Sequence, residues 1–460
     1  MNIKTRPETF VVIGGNAAGM SAASKAKRSN PNLQVIAYEK TQHVSYSACG
    51  IPYFVADLVR EPSELVSITA EQFREKRGID VKTEHQVLHI DAVKRRILVK
   101  DLSSGTEILV PYDKLLIAVG GQPNRPDIPG IDLQNVYTIR TLQDGIRLKQ
   151  FVDEKQPKRA VIIGGGYIAT EMAEALRERR LQVTVLEKEG SILTGFEAEI
   201  REIVGSELER HQVAVHTGVT IDSLAGENDA VQFAQLSQPK ASFPVDLVVV
   251  STGIAAKTRL AQTAGVRTGN TGAIAVDWKM QTNVQNIFAA GDCVEVKNLV
   301  SGKPDYIPLA PAANKQGRVA GENIGGGTAR FPGVVGTSVF KVFGLEVART
   351  GLNVLQAQKA GFAAKQVTIS ERPKAGYLAK NDRMTIAVIF DERSGRLLGA
   401  QMVGASGVSK RIDVFAAALT NRLTLEEMAY LDMSYAPPFA PVWDPVLVAV
   451  NVARGKLRKR

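Results

Sequence analysis

Two cysteines, Cys49 and Cys293, are the only thiols in 460 residues, and each stands alone. A lone thiolate has two redox chemistries. It attacks a disulfide to form a mixed disulfide, or it is oxidised to a sulfenic acid. Cys49 is bracketed by glycine and proline in the run Ser45-Tyr-Ser-Ala-Cys-Gly-Ile-Pro-Tyr53. Tyr53 to Val59 suits a short helix, which sets Cys49 close to a helix N-terminus and predicts a thiol pKa below the ordinary value. The competing reading is a buried, inert thiol, the commoner fate of an isolated cysteine. Two cysteines exclude a disulfide framework and a multi-cysteine metal site. The five histidines, His43, His85, His89, His211 and His216, show no metal-ligand spacing, so no metal is expected.

A reactive thiol needs a scaffold, and the chain carries two copies of one. Phe10 to Ile13 is an apolar strand that runs into Gly14, Gly15 and Gly19. Ala18 to Arg28 follows as a helix with a small-residue face, then Gln34 to Tyr38 as a strand that ends in Glu39. Ala160 to Ile163 repeats the pattern. Gly164, Gly166 and Ala169 form G-x-G-x-x-A, Tyr167 to Arg180 reads as a helix, and Gln182 to Leu186 is a strand ending in Glu187. Such glycine turns let a backbone approach a pyrophosphate at a helix N-terminus, and the acid accepts ribose hydroxyls. Asn16 replaces the middle glycine of the first turn, so that copy alone leaves a plain α/β turn as a competing reading; two complete units make a dinucleotide reading far stronger. Glu187 favours NADH, while Lys188 beside it would suit a 2′-phosphate. A third strand, Asn286-Ile-Phe-Ala-Ala-Gly-Asp292, lies far from Gly14 along the chain and closes the first unit, which the second therefore interrupts.

Composition fits this picture. Hydrophobic residues are 44% and charged residues 23%, values of a globular protein with several cores. No apolar run has the roughly 18 residues of a membrane span, and a cytoplasmic protein is expected. The net charge is +10, of which Arg454, Lys456, Arg458, Lys459 and Arg460 supply half. No aromatic residues interleave with this tail, so it reads as a solvated end and no nucleic-acid partner is expected.

Together these motifs resemble the flavin-dependent pyridine nucleotide–disulfide oxidoreductases, over nearly the whole chain. Leu116-Ile-Ala-Val-Gly-Gly-Gln-Pro123 looks like the family's strand-and-glycine crossing between domains, and the likeness includes Ser251-Thr-Gly253 and the Gly-Asp at 291–292. Cys49 has no partner five residues on, where Phe54 stands, so the glutathione reductase pair is absent. Tyr435-Ala-Pro-Pro-Phe-Ala-Pro-Val-Trp-Asp-Pro445 and Gly336-Thr-Ser338 are similar to the single-cysteine branch that includes the coenzyme A-disulfide reductases. The resemblance implies an α/β fold: two Rossmann-like dinucleotide-binding domains of the glutathione reductase kind plus an α+β dimerisation domain. It implies an FAD-binding domain at 1–120 and 250–332, an NAD(P)H-binding domain at 121–249 and dimerisation through 333–460. Strands at Val335–Val342, Glu346–Leu352, Met384–Phe390 and Leu397–Met402 and helices from Ser409 and Leu425 suit the last.

The resemblance also implies roles. Gly14, Gly15, Gly19, Glu39, Lys40, Val87, Gly120, Gly253 and Asp292 would hold FAD. Gly164, Gly166, Tyr167, Ala169, Glu171 and Glu187 would serve NADH or NADPH, with Tyr167 over the nicotinamide and Glu171 facing the flavin. Cys49 would form the mixed disulfide, and Cys293 would pack near the flavin without chemistry. No histidine follows His216, so Tyr435 and Tyr377, supplied by the partner subunit of a homodimer, take the place of the usual acid. Lys25, Arg28, Ser45, Arg77 and Asn314 would line a coenzyme A site. By the residues alone, Lys25 and Arg28 are equally a solvated helix face, and Asn314 a helix cap. The expected acceptor is coenzyme A disulfide or a related small-thiol disulfide or persulfide. The alternatives are an NADH oxidase or peroxidase, whose glycine-turn histidine is replaced here by Ala17, and a non-enzymatic redox-responsive flavoprotein.

Overall fold

The computed structural model describes residues 6–237 and 239–457. Arg458, Lys459 and Arg460 of the basic tail lie outside the described residues, while Arg454 sits on a helix and pairs with Glu426.

Three five-stranded sheets organise the chain. The first is all parallel, in the order Ile287–Ala289, Lys114–Ile117, Thr9–Ile13, Gln34–Tyr38, Ile79–Lys82. Its central strands are short apolar runs, as parallel sheets require, and all five residues of Thr9–Ile13 are buried, while the edge strand Ile79–Lys82 buries one face. Helix α1, Ala17–Ser29, packs on this sheet and against the helix Ala310–Ile324. The two helices meet at glycines. A Cβ on Gly317 or Gly321 would stand 2.2 or 2.3 Å from the Ala18 or Ala22 carbonyl oxygen.

The second sheet is also parallel: Val213–Thr217, Gln182–Glu187, Arg159–Ile163, Leu247–Val250, Val136–Thr138. Two short strands, Gly121–Pro123 and Ile254–Ala256, pair antiparallel where the chain crosses between the sheets. The third sheet is antiparallel, in the order Ser338–Val342, Leu345–Gly351, Leu397–Gly404, Met384–Asp391, Ala364–Glu371. The helices Val408–Thr420 and Pro445–Leu457 cover it. The edge strand Ala364–Glu371 is not anticipated by the sequence reading, because only one of its faces is buried and polar residues interrupt its pattern.

The segment around Cys49 differs from expectation. A 3-10 turn spans Ala48–Gly50, and helix α2 spans Ile51–Val55 rather than Tyr53–Val59. Proline is tolerated in a first helical turn, where its missing N–H has no partner to lose, so Pro52 lies inside the helix. Further along, α3 spans Ala70–Arg77, α4 Leu142–Lys155 and α5 Tyr167–Glu178. Although α2 precedes the first crossing, its Ile51 and Val55 are buried in the second sheet's core with Leu148, Val152, Met172 and Leu176. Each such side chain contributes roughly 1.5–3 kcal/mol.

Candidate active site

Both glycine turns are built alike. Gly14 has φ +110°, and a Cβ there would lie 2.2 Å from the Ala118 carbonyl oxygen; one on Gly19 would lie 1.9 Å from the Gly14 oxygen. Gly164 repeats this with φ +104° and 2.4 Å to the Ser251 oxygen. The Gly15 N–H donates to Glu39 at 2.8 Å, and the Gly165 N–H donates to Glu187 at 2.5 Å. Each acid thus braces its own turn through one oxygen. Gly165 is a residue the sequence reading passes over, although the run of three glycines displayed it.

The turns fit anionic cofactors. Helices α1 and α5 begin with no side-chain cap and no acid in the first turn, which leaves their N-terminal N–H groups for phosphate oxygens. Gly166 caps α5, and a Cβ there would meet open space. Ala169 is wholly buried behind it. Lys40 lines a cleft of about 470 Å³ with Thr41, Arg140 and Lys257. Burial, then Lys40 and Arg140, holds the Lys257 ammonium below its usual range, a surrounding suited to polyphosphate. Arg140 and Lys257 carry no local motif, so sequence reasoning missed them. Gly120 and Gly253, at φ +70° and +94°, bracket the crossing strands, and Val87 is buried on the strand His85–Asp91.

Cys49 is accessible, whereas Cys293 is 0% exposed. The Cys293 thiol donates to the Ala290 carbonyl at 3.4 Å, and burial lifts its pKa to about 12. The groups around Cys49 come from three separate stretches: Glu171 and Tyr167 of α5, Asp292 after the closing strand, and Arg140 before α4. Tyr53 joins them from α2. Protein crowding, then Glu171 and Asp292, raises the Cys49 thiol pKa, and Arg140 opposes them. The expected lowering is therefore corrected. Cys49 lies inside a 3-10 turn ahead of a five-residue helix, and burial, then two nearby carboxylates, outweigh so short a dipole. Arg140 donates to Asp292 at 2.6 Å, and the Tyr306 hydroxyl donates to the Asp292 carbonyl at 2.9 Å. Burial, then Glu174, raises the Glu171 carboxyl to about 7. Glu174 one turn on is tied to Lys341 and to the Phe343 N–H.

Tyr167 is partly exposed and packs on Phe340 at 5.8 Å between ring centres. Tyr435 and Tyr377 are 52% and 78% exposed on the third unit, in a surface that also shows Phe439, Val442 and Trp443. Neither is among the groups that surround Cys49 within one chain. The outer face of α1 gathers most of the remaining candidates. Ser21 donates to Asn314 at 2.7 Å, Arg77 donates to Ser24 at 2.8 Å, and Lys25 lies 3.1 Å from Glu322. Arg28 is exposed, and Ser45, at φ +49°, donates its N–H to the Gly15 oxygen. Asn314 lies within the helix Ala310–Ile324 and caps neither end.

Residues 8–317 match the family described as pyridine nucleotide-disulphide oxidoreductase, and residues 337–445 match its dimerisation domain. The NAD(P)H sulfur oxidoreductase (CoA-dependent) of Pyrococcus abyssi is 38% identical over 99% of this chain and 100% of its own. An NADH oxidase of Methanocaldococcus jannaschii is 32% identical over 98% of this chain and 99% of its own. The structure of an NAD-dependent persulfide reductase from A. fulgidus superposes with a TM-score of 0.94 at 37% identity, over 97% of this chain and 83% of that one. Two parallel dinucleotide-type sheets, an antiparallel third sheet and an accessible, unpaired Cys49 are the parts of a flavoprotein oxidoreductase. The chain belongs to the pyridine nucleotide-disulphide oxidoreductase family. It is an enzyme that uses FAD and NADH or NADPH. No helix among the described residues is long and apolar enough to cross a membrane.

Proposed function

We propose that this enzyme reduces coenzyme A disulfide, or a related small-thiol disulfide or persulfide, through Cys49. The observation that carries this reading is the placement of one accessible thiol among Glu171, Asp292, Arg140 and Tyr167, with the other thiol sealed in the core. For a disulfide the overall balance is NAD(P)H plus a proton plus RSSR giving NAD(P)⁺ and two RSH. FAD, when bound, would supply the two-electron path between the nicotinamide and sulfur. The first glycine turn and Glu39 would hold it with Lys40, Val87, Gly120, Gly253 and Asp292; the second turn, Tyr167, Ala169, Glu171 and Glu187 would serve the nicotinamide nucleotide. The Cys49 thiolate attacks one sulfur of RSSR, a mixed disulfide forms, and RS⁻ leaves. In a homodimer, Tyr435 of one subunit, with Tyr377, gives the proton to the thiolate leaving the partner subunit's site. Lys25, Arg28, Ser45, Arg77 and Asn314 form the surface for the coenzyme A moiety. Part of its charge is already offset, because Glu322 pairs with Lys25.

Lys188 points into solvent beside Glu189, so Glu187 sets the nucleotide preference toward NADH. Ala17 at the start of α1 supplies no acid–base group, which disfavours the peroxidase route. The oxidase relative makes oxygen the competing acceptor. Mass spectrometry of the intact protein separates these readings. A coenzyme A adduct on Cys49 that dithiothreitol removes supports the disulfide reductase. Rapid NADH oxidation that consumes oxygen, with no disulfide turnover, overturns it.

A further inference from the structure

Cys49 is carried by a helix that belongs to one unit by chain order and to another by packing. Ile51 and Val55 of α2 are buried in the core of the second sheet, against α4 and α5. Gly145 of α4 makes room for this: a Cβ there would stand 2.7 Å from the Ile51 side chain. Beyond the apolar contact, the end of α2 is held by charge. Arg179, just past α5, donates to the Val55 carbonyl at 3.1 Å. That carbonyl is in the last turn of α2, where a helix leaves its oxygens unpaired and favours a cation. Lys149 of α4 donates to Asp57 at 2.7 Å and lies 5.6 Å from the Phe54 ring centre. Asp153 joins the two cations, 3.3 Å from Lys149 and paired with Arg179. Lys149 and Arg179 are 12% and 17% exposed, and two carboxylates balance their charges. Asp57 adopts φ +67°, a left-handed turn that ends α2 and presents its carboxylate to Lys149.

We propose that Arg179 and Lys149 are positioning residues for Cys49, a clamp by which the nucleotide-binding unit holds the redox thiol against the flavin and the incoming disulfide. The inference rests on the reading of Cys49 as the redox group. Neither cation is among the groups that surround the thiol. They act through the α2 backbone, whose far end is two residues from Cys49. A shift of about 1 Å in a reacting group can cost on the order of 10²-fold in rate, so a loosened α2 should be visible in the disulfide step alone.

The test uses the FAD-loaded enzyme carrying Arg179→Leu or Lys149→Met. Iodoacetamide labels Cys49, because Cys293 is sealed, and mass spectrometry reads the labelling rate against pH. The clamp holds the thiol among Glu171, Asp292, Arg140, Tyr53 and Tyr167. A loosened helix moves it away from the Glu171 and Asp292 carboxylates, so the labelling midpoint should fall. Turnover of coenzyme A disulfide should fall by about tenfold to a hundredfold, while NADH bleaches the flavin at the parent rate. Arg179→Lys, which retains one donor, should recover part of both. Should a variant fail to fold, Asp57→Asn opens one arm of the clamp at the surface and is read in the same way. A labelling profile and turnover equal to the parent in these variants overturns the clamp. Cys49→Ser separates this from failure of the functional reading: if it retains full disulfide turnover, Cys49 itself is not the redox group.

Discussion

The Arg140 guanidinium lies 2.6 Å from the Asp292 carboxylate, across 152 residues of sequence. The pair joins the second unit to the glycine-aspartate turn that closes the first. It also sets the charge beside Cys49, because Asp292 raises the thiol pKa and Arg140 lowers it. Arg140→Leu leaves the carboxylate unopposed. Alkylation of Cys49 at pH 8 should then slow by about threefold to tenfold, and an unchanged rate would show that Arg140 does not tune the thiol.

Cys49→Ser should abolish disulfide turnover while NADH still bleaches the flavin, since the thiol acts after the flavin. Cys293→Ser should keep most activity, because that thiol is sealed and its pKa stands near 12. Stopped-flow absorbance and steady-state thiol release read the two half-reactions separately. Loss of flavin bleaching in Cys49→Ser would contradict this order of events.

Tyr435→Phe should slow disulfide reduction by about 10²–10⁴-fold, the usual contribution of a positioned acid, with flavin bleaching nearly intact. Tyr435 is 52% exposed in the single chain and is not among the charges that shift the Cys49 thiol, so the proposed reading has it serve the thiol of a second chain. Mixed dimers of Cys49→Ser and Tyr435→Phe chains should regain one working site. Mixtures without recovered turnover would place both groups in one subunit.

Glu171 makes stability depend on pH in a stated direction. Burial, then Glu174, raises its folded pKa from 4.5 to about 7. Between those values the folded chain keeps a proton that the unfolded chain has released. The stabilisation is complete below the unfolded value and is lost as pH rises through 7, on the order of 3 kcal/mol in all. Glu171→Gln should flatten Tm between pH 5 and 7.5 relative to the parent. A parent-like slope in that variant would assign the titration elsewhere.

Local backbone demands were legible in the sequence, and long-range charge was not. The strand Gln34–Tyr38 falls where the apolar run and the following Glu39 place it, and both glycine turns have the positive φ that only glycine adopts easily. Helix α2 begins two residues before the expected Tyr53, because Pro52 is tolerated in its first turn. The Cys49 thiol is raised by burial, then by Glu171 and Asp292, and no window of sequence around Cys49 contains the groups that do this. Lys25 likewise meets Glu322 only through the packing of two distant helices.

The Lys114–Asn286 hydrogen bond spans 172 positions, and the strand Ile287–Ala289 beside it completes the first parallel sheet. On a ribosome that adds about 5–20 residues per second, the first sheet waits roughly ten to thirty seconds for its closing strand. Meanwhile the second sheet, continuous from Val136 to Val250, has all its strands in hand. The inserted unit therefore matures before the unit that began synthesis. The edge of Lys114–Ile117 stays open during that wait, which makes it the place where a nascent chain would recruit a chaperone or pair wrongly with a neighbour.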